Sequence, residues 1–347
     1  MSKRRKKRGR KKMTQMTVGL DVGYGVTKLV NGQTITFPSV AGYARELKFQ
    51  QDEISAKYPG DQGADDEGRW FVGDLALSQL SPASLLRLRG RTSAEVDGNA
   101  FRLRMMKTAL GKLMSGLCDG SVIHIDLATG LPVDHMPDSH LLKQALLGQH
   151  HILTDQADFI ANIRSVMVMP QPYGTIYRHL LNDDGTLNEY YTVARTGVID
   201  VGTYTTDITL DDDGEYIDER SGSVEAGVHV VQEVVAAEYE RRYRAKPSLR
   251  VIDEIIRRGF ARIQGQPETF AETVTEGKQR LFAAVQTLLN ARWQLAEDVD
   301  AIYVTGGGAA LIYEQLHQMY GHAILSENAP TANAEGYLRY ARYTEQG

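Results

Sequence analysis

One strand–turn–strand pattern occurs twice in this sequence, once around Asp21 and once around Asp200. Residues 19–30 read GLDVGYGVTKLV, and residues 198–209 read VIDVGTYTTDIT. Each copy has an apolar strand, an Asp-Val-Gly turn, small or hydroxylated residues and a returning strand. A single Asp-x-Gly turn is common in hairpins. Two copies, each opening one half of the chain, predict two α/β units of similar plan.

The residue types in this pattern suit a phosphate site. Glycines let backbone N–H groups close around phosphate oxygens, and hydroxyl groups add hydrogen-bond donors without bulk. An aspartate at the end of a strand can hold a hydrated Mg²⁺ beside those phosphates. Lys28 would add a positive point charge to the same site.

A third glycine cluster follows the apolar residues 301–305 and precedes a helical pattern. Gly306, Gly307 and Gly308 would let an adenosine lie against the backbone, with the start of the helix facing phosphate. An ordinary strand-to-helix turn is the alternative for this segment.

In this order, the three elements resemble those of the actin-like ATPase superfamily, which includes actin, heat-shock chaperones and sugar kinases. Residues 21–28 (the first loop) and 200–207 (the second loop) are similar to its two phosphate loops. Residues 304–309 (the third loop) are similar to its adenosine motif. The resemblance spans about residues 16–343.

Three shorter motifs look like those of the bacterial plasmid-segregation branch, the ParM/StbA-like proteins: GLPV at 130–133, VMPQ at 168–171 and NAEG at 333–336. This resemblance implies an α/β, actin-like (ribonuclease-H-like) fold, with two similar α/β domains around a nucleotide cleft.

The domain boundaries expected on this basis divide the chain into three parts. Residues 1–12 form a disordered basic tail. Residues 13–194 form domain I, to which a C-terminal helix at 327–347 returns, and residues 195–326 form domain II. Residues 50–70 are polar and rich in Gly and Asp, which predicts a surface loop.

The resemblance places ATP, or ADP after hydrolysis, and Mg²⁺ in the cleft. Asp21 and Asp200 would face each other and hold the metal through water, and Asp200 would activate the attacking water through the metal. Gln171 lies between Pro170 and Pro172 at a position where ParM-like proteins commonly have a glutamate. An amide can orient a water but cannot take its proton, so hydrolysis would rely more on Asp200.

The remaining candidates would contact the nucleotide. For Lys278 the alternative is a solvated helix lysine, and for the threonines it is an ordinary strand role. The full set of nucleotide-binding candidates is Gly23, Tyr24, Gly25, Val26, Thr27, Lys28, Gly202, Thr203, Tyr204, Thr205, Gly227, Lys278, Gly306, Gly307 and Gly308.

The formal net charge of −5 conceals a strong asymmetry. Residues 1–12 hold nine Lys and Arg and no acid, so subtracting nine from −5 leaves −14 for residues 13–347. Residues 2–12 could contact DNA phosphates, an anionic membrane surface or an acidic partner, or be a passive extension.

Cys118 is the only cysteine, which is typical of a reducing cytoplasm, and no apolar run is long enough to cross a bilayer.

The resemblance implies a filament-forming bacterial actin homologue that binds and hydrolyses ATP. Its subunits would associate head to tail into an open polymer. Such a polymer would segregate plasmid DNA or position phage DNA through a DNA-bound adaptor protein. A non-polymerising ATPase or a small-molecule kinase of the same superfamily is the alternative.

Overall fold

Two six-stranded sheet systems, one in each domain, organise the chain. The computed structural model describes residues 14–88, 96–189, 191, 195–294 and 296–346. The predicted basic tail at 1–12 lies outside the described residues. No described helix is both long and apolar enough to span a membrane.

Domain I is built on a sheet with the strand order β3-β2-β1-β7-β9-β8, beside a three-stranded sheet of order β4-β6-β5. In chain order its elements are β1 (Thr14–Val22), β2 (Val26–Val30), β3 (Thr34–Pro38), β4 (Ala41–Tyr43), α1 (Gln51–Lys57), β5 (Gln62–Asp65), β6 (Gly68–Val72), α2 (Gly73–Gln79), α3 (Val96–Leu113), β7 (Val122–Leu131), α4 (Ser139–Leu146), β8 (Gly148–Leu153), β9 (Asp158–Pro170) and α5 (Gln171–Leu180).

Domain II is built on the strand order β12-β11-β10-β16-β17, in which β13 also pairs with β11, and β14 pairs with β15 in a separate hairpin. Its elements are β10 (Arg195–Val201), β11 (Thr206–Asp212), β12 (Glu215–Tyr216), β13 (Gly222–Val224), α6 (Val228–Tyr243), α7 (Leu249–Arg258), β14 (Phe260–Ile263), β15 (Gln266–Thr269), α8 (Ala271–Arg292), β16 (Ala301–Thr305), α9 (Ala309–Met319) and β17 (Ala323–Leu325). The last helix is α10 (Ala332–Gln346).

The repeated pattern of the sequence folds into the same hairpin twice. β1 pairs antiparallel with β2 and parallel with β7, while β10 pairs antiparallel with β11 and parallel with β16. The register places Asp21 opposite Lys28 and Asp200 opposite Asp207. Residues 18–22 of β1 and 196–201 of β10 are buried on both faces, as is typical of strands in a sheet that is covered on both sides. The α/β fold of two similar domains is therefore confirmed.

The prediction of a surface loop over residues 50–70 is wrong, because this segment contains α1, β5 and most of β6. Trp70 is buried, and the Arg104 guanidinium lies 3.2 Å from its ring centre. Arg104 also pairs with Asp65 at 2.6 Å. The segment is anchored by buried Trp70 and by the ion pairs of Asp61 and Asp65 with Lys112 and Arg104 of α3.

α10 returns to domain I and crosses α5 at very short range. A Cβ added to Gly336 would lie 1.6 Å from the Gly174 carbonyl oxygen, so only glycine allows the two backbones to approach this closely. α10 also packs on β1, where the Thr17 hydroxyl donates to Glu345 at 2.6 Å. α5 reaches domain II through Tyr173, whose hydroxyl donates to Asp211 of β11 at 3.0 Å.

Candidate functional site

A cleft of about 210 Å³ lies between the domains, where β1, β10 and β16 end. Ligands of α/β proteins commonly bind beyond the carboxyl ends of parallel strands, because the loops there converge. The cleft is lined by Asp21, Gly23, Tyr24, Gly25, Val26, Lys28, Thr36, Gln171, Asp200, Gly202, Thr203, Thr205, Asp207, Gly306, Gly307, Pro330 and Asn333.

The first loop presents a carboxylate that is already engaged by two neighbours. The Lys28 ammonium lies 2.7 Å from Asp21 Oδ2. Gln171, the first residue of α5, donates its side-chain amide to Asp21 Oδ1 at 3.3 Å. α5 starts directly where β9 ends, and this junction brings Gln171 to the cleft. Asp21, Lys28 and Gln171 thus form one polar group on the domain I side.

The second loop presents a buried carboxylate, that of Asp200, which has other negative charges close by. Asp200 Oδ2 accepts a hydrogen bond from the Asn333 amide at 2.7 Å. Burial raises the pKa of Asp200 to about 7, and the negative charges of Asp207 and Asp21 add to the effect. The Asn333 hydrogen bond and Lys28 oppose it. A cation placed beside Asp200 would therefore favour its ionised form.

The first and second loops touch each other across the cleft. The Tyr24 and Tyr204 rings meet edge to face, with their centres 5.9 Å apart. A Cβ added to Gly25 would lie 2.2 Å from the Thr203 hydroxyl oxygen. Gly25 therefore permits the two loops to meet without a side chain between them.

The third loop is held against the second. Gly306 has a φ of +89°, which glycine adopts without strain. A Cβ there would lie 2.3 Å from Asp200 Oδ1, so there is also no space for a side chain. The Gly308 N–H donates to the Val201 carbonyl at 2.8 Å. Of this cluster, Gly306 and Gly307 line the cleft.

Five of the predicted site residues lie outside the lining of the cleft. The Thr27 hydroxyl bonds to Ser39 at 2.8 Å inside domain I. Gly227 lies behind the second loop, where a Cβ would be 2.6 Å from the Gly202 and Thr203 carbonyl oxygens. The others are Tyr204, Gly308 and Lys278. Lys278 is half-buried on α8.

Four lining residues carried no site prediction: Thr36, Asp207, Pro330 and Asn333. The sequence could have predicted Asp207 as a site residue, because it follows Asp200 by seven residues, as Lys28 follows Asp21. Asn333 belongs to the NAEG motif, but its contact with Asp200 joins residues 133 positions apart. No local sequence pattern reveals such a contact.

The carboxylates of the cleft suit Mg²⁺ better than a metal ion whose ligands must all be protein side chains. Across the described ranges, no group of three or more His, Cys, Asp or Glu side chains forms a metal-ligand cluster. Mg²⁺ usually keeps several waters and takes one or two carboxylates together with substrate phosphates. Asp21 and Asp200 can supply those carboxylates.

Two family models match the chain in succession. Residues 19–174 match the N-terminal domain of actin-like proteins, and residues 198–318 match the C-terminal domain of the archaeal, MreB-like actin homologues. The chain belongs to the actin-like superfamily. Its first and second loops each lie inside one of the matched regions, at the start of the corresponding actin-like domain.

Solved structures share this actin-like fold over nearly the whole chain. The archaeal actin homologue Ta0583 superposes with a TM-score of 0.76 at 19% identity, covering 95% of this chain and 99% of its own. Ta0583 is also known in complex with ADP. A ParM from a 15-stranded filament of Clostridium botulinum has a TM-score of 0.76 at 22% identity, covering 96% and 100%.

A third structure, Bacillus thuringiensis ParM with ATP, has a TM-score of 0.68 at 16% identity and covers 96% of this chain and 99% of its own. No curated protein is significantly similar to the chain in sequence.

Proposed function

We propose that this actin-like protein binds ATP with Mg²⁺ in the interdomain cleft, hydrolyses it, and assembles into filaments. The observation that carries the proposal is the convergence of Asp21 and Asp200, from two copies of one hairpin, on a single glycine-lined cleft. The similarity to ParM structures, among them a filament and an ATP complex, supports the same conclusion.

Each side of the cleft would have its own task. The glycine loops would bind the phosphates through backbone N–H groups, and Lys28 would leave Asp21 to contact them. Mg²⁺ held by Asp21 and Asp200 through water would neutralise phosphate charge. Gln171 would orient the attacking water, because its amide can direct a water molecule without taking a proton. Asp200 is the carboxylate that would favour ionisation of that water.

The assembled polymer would segregate plasmid DNA or position phage DNA in the cytoplasm, through a DNA-bound adaptor protein. Head-to-tail contacts leave one free binding surface at each end of an open polymer, so further subunits can always be added there. Hydrolysis would weaken the polymer by changing the relative position of the two domains.

Sedimentation tests the assembly directly. We expect the protein to pellet with ATP and Mg²⁺, and to pellet less with ADP or without nucleotide. If it stays in the supernatant with ATP and Mg²⁺ at every concentration, while still releasing phosphate, the filament is excluded. A non-polymerising ATPase or a small-molecule kinase would then remain.

A variant at Asp200 separates hydrolysis from assembly. Asp200→Ala should reduce phosphate release by about 100-fold or more, because the carboxylate next to the attacking water is gone. ATP-driven pelleting should persist. Asp218→Ala changes an exposed aspartate of the same domain and should leave both properties unchanged. Loss of pelleting in Asp200→Ala at all ATP concentrations would contradict the assignment.

A further inference from the structure

Arg102 is a buried cation directly behind the first loop. It lies on α3, is 3% exposed, and donates from Nη1 to the Val22 carbonyl at 3.1 Å. Its Nε has no hydrogen-bond partner, and none of the side chains that the structure describes forms an ion pair with it. A buried charge that lacks a counter-ion destabilises a fold, because its lost hydration is not replaced. Its contacts with the described side chains therefore do not explain Arg102 by stability alone.

The two copies of the hairpin hold the same carbonyl in different ways. In the second copy, the Val201 carbonyl accepts a hydrogen bond from the Gly308 backbone N–H at 2.8 Å. In the first copy, the equivalent Val22 carbonyl accepts its hydrogen bond from the Arg102 guanidinium. Domain I therefore uses a positively charged side chain where domain II uses a neutral main-chain group.

The hydrogen bond to Val22 also orients the next residue. The carbonyl and N–H groups of a trans peptide point in opposite directions, and the described chain has no cis peptide bond. With the Val22 carbonyl directed at Arg102, the N–H of Gly23 is directed away from it. Gly23 lines the cleft, so this contact fixes the peptide at which the first loop begins.

The charge of the cleft adds a second reason for a cation here. The lining contains three carboxylates, Asp21, Asp200 and Asp207, and one cation, Lys28, which is paired with Asp21. A phosphate chain would bring further negative charge into this surrounding. Burial lowers the pKa of Arg102, but Tyr24 and Asp21 of the first loop oppose that change because they lie close by. An arginine remains charged at neutral pH.

We propose that Arg102 is a positioning residue for the phosphate chain of a bound nucleotide. It fixes the Val22–Gly23 peptide at the start of the first loop, and it supplies positive charge from behind the loop. The inference rests on the proposed nucleotide-binding function and deepens it by adding a charge that does not itself line the cleft.

Calorimetric titration with ADP and with adenosine separates phosphate recognition from base recognition. Arg102→Met should weaken ADP binding by about tenfold or more, which corresponds to the loss of a charge-assisted contact, and leave adenosine binding unchanged. Arg102→Lys should recover part of the loss, because it keeps the charge. Without nucleotide, Arg102→Met should unfold at the same temperature as the native protein or higher, since it removes a buried charge that has no ion pair among the described side chains.

Arg104→Met is the matched control, because Arg104 lies on the same helix with similar burial but pairs with Asp65 away from the cleft. It should lower the unfolding temperature and keep the native ratio of ADP to adenosine affinity. If Arg102→Met keeps that ratio, or loses affinity for both ligands together with stability, the positioning role is wrong while nucleotide binding stands. If the native protein binds neither ligand, the proposed function itself fails, and this inference fails with it.

Discussion

His179 is kept neutral by its surroundings in the folded protein. It lies on α5, and its ring stacks on Tyr303 of β16 with the ring centres 3.6 Å apart and the planes at 10°. Burial lowers the pKa of His179 to about 4, and the positive charges of Arg178 and Arg339 act in the same direction. Protonation at this position therefore opposes the packing of α5 against domain II.

This pKa predicts acid sensitivity of the fold. Between pH 6.5 and pH 4 the unfolded chain binds a proton at His179 that the folded chain does not, so stability falls as the pH falls through this window. The contribution is at most about 3 kcal/mol. His179→Phe keeps a stacked ring that cannot titrate. Urea unfolding at several pH values should show a flatter decline between pH 6.5 and 4 for this variant.

At pH 8 both the native ring and its replacement are uncharged, so the difference in unfolding free energy there measures packing and the lost contact between His179 Nε2 and Ser326 Oγ. If the two proteins lose stability in parallel from pH 8 to pH 4, His179 does not contribute to acid sensitivity.

At the scale of elements, the crossing of α5 and α10 leaves no room for a side chain between the two backbones. The backbone of Gly336 lies against the Gly174 carbonyl, and a Cβ at Gly174 would lie 2.5 Å from the Asn333 carbonyl oxygen. These neighbours are main-chain atoms, which cannot rotate away as a side chain can. Any added methyl group must therefore separate the two helices.

Gly336→Ala should lower the free energy of unfolding by about 2–3 kcal/mol, because the added methyl group overpacks a backbone contact. Gly321→Ala is the control: no atom lies within 4 Å of a Cβ at that position. It should change stability by less than about 0.5 kcal/mol. Chemical denaturation of both variants gives the comparison, and equal effects would show that the crossing tolerates a side chain.

Elements with a strong local pattern could be predicted from the sequence, while α5 could not. The repeated hairpins follow directly from their apolar strands and glycine turns. Pro170 and Pro172 around Gln171 indicate a break after a strand. In the structure Pro172 is in the first turn of α5, where its missing N–H is not needed for helical hydrogen bonding.

In the candidate site, too, residues of local motifs could be predicted from the sequence and residues from distant helices could not. The glycines and aspartates of the three loops follow from local motifs, since a phosphate site needs those residue types at those spacings. Asn333 and Arg102 approach the loops from α10 and α3. Their contribution depends on how distant helices pack on the sheets, and single-sequence patterns do not carry that information.

At the scale of the whole molecule, charge is divided unequally along the chain. Residues 13–347 carry a formal charge of −14, and the nine basic residues of the first twelve offset part of it. Asp21, Asp200 and the glycine loops all lie in the acidic part, so the chemistry of the cleft does not need residues 2–12.

Deleting residues 2–12 should leave the rate of ATP hydrolysis unchanged and weaken binding to duplex DNA. The dependence of log Kobs on log salt should become shallower, because fewer counterions are released from the DNA. A variant with the same tail composition in scrambled order should bind as the native chain does, since only charge is required. An unchanged salt-sensitive isotherm after deletion would exclude the tail from DNA binding.

The return of α10 to β1 has a consequence for how the protein is made. The whole of domain II lies between the strands of the first sheet and the helix that covers them. Domains fold as units while the chain leaves the ribosome, and each unit needs its own core. Domain II can bury its core as soon as β17 has emerged, whereas β1 stays uncovered on one face until residues 332–346 follow. The half of the protein that is synthesised first is therefore the half that completes its folding last.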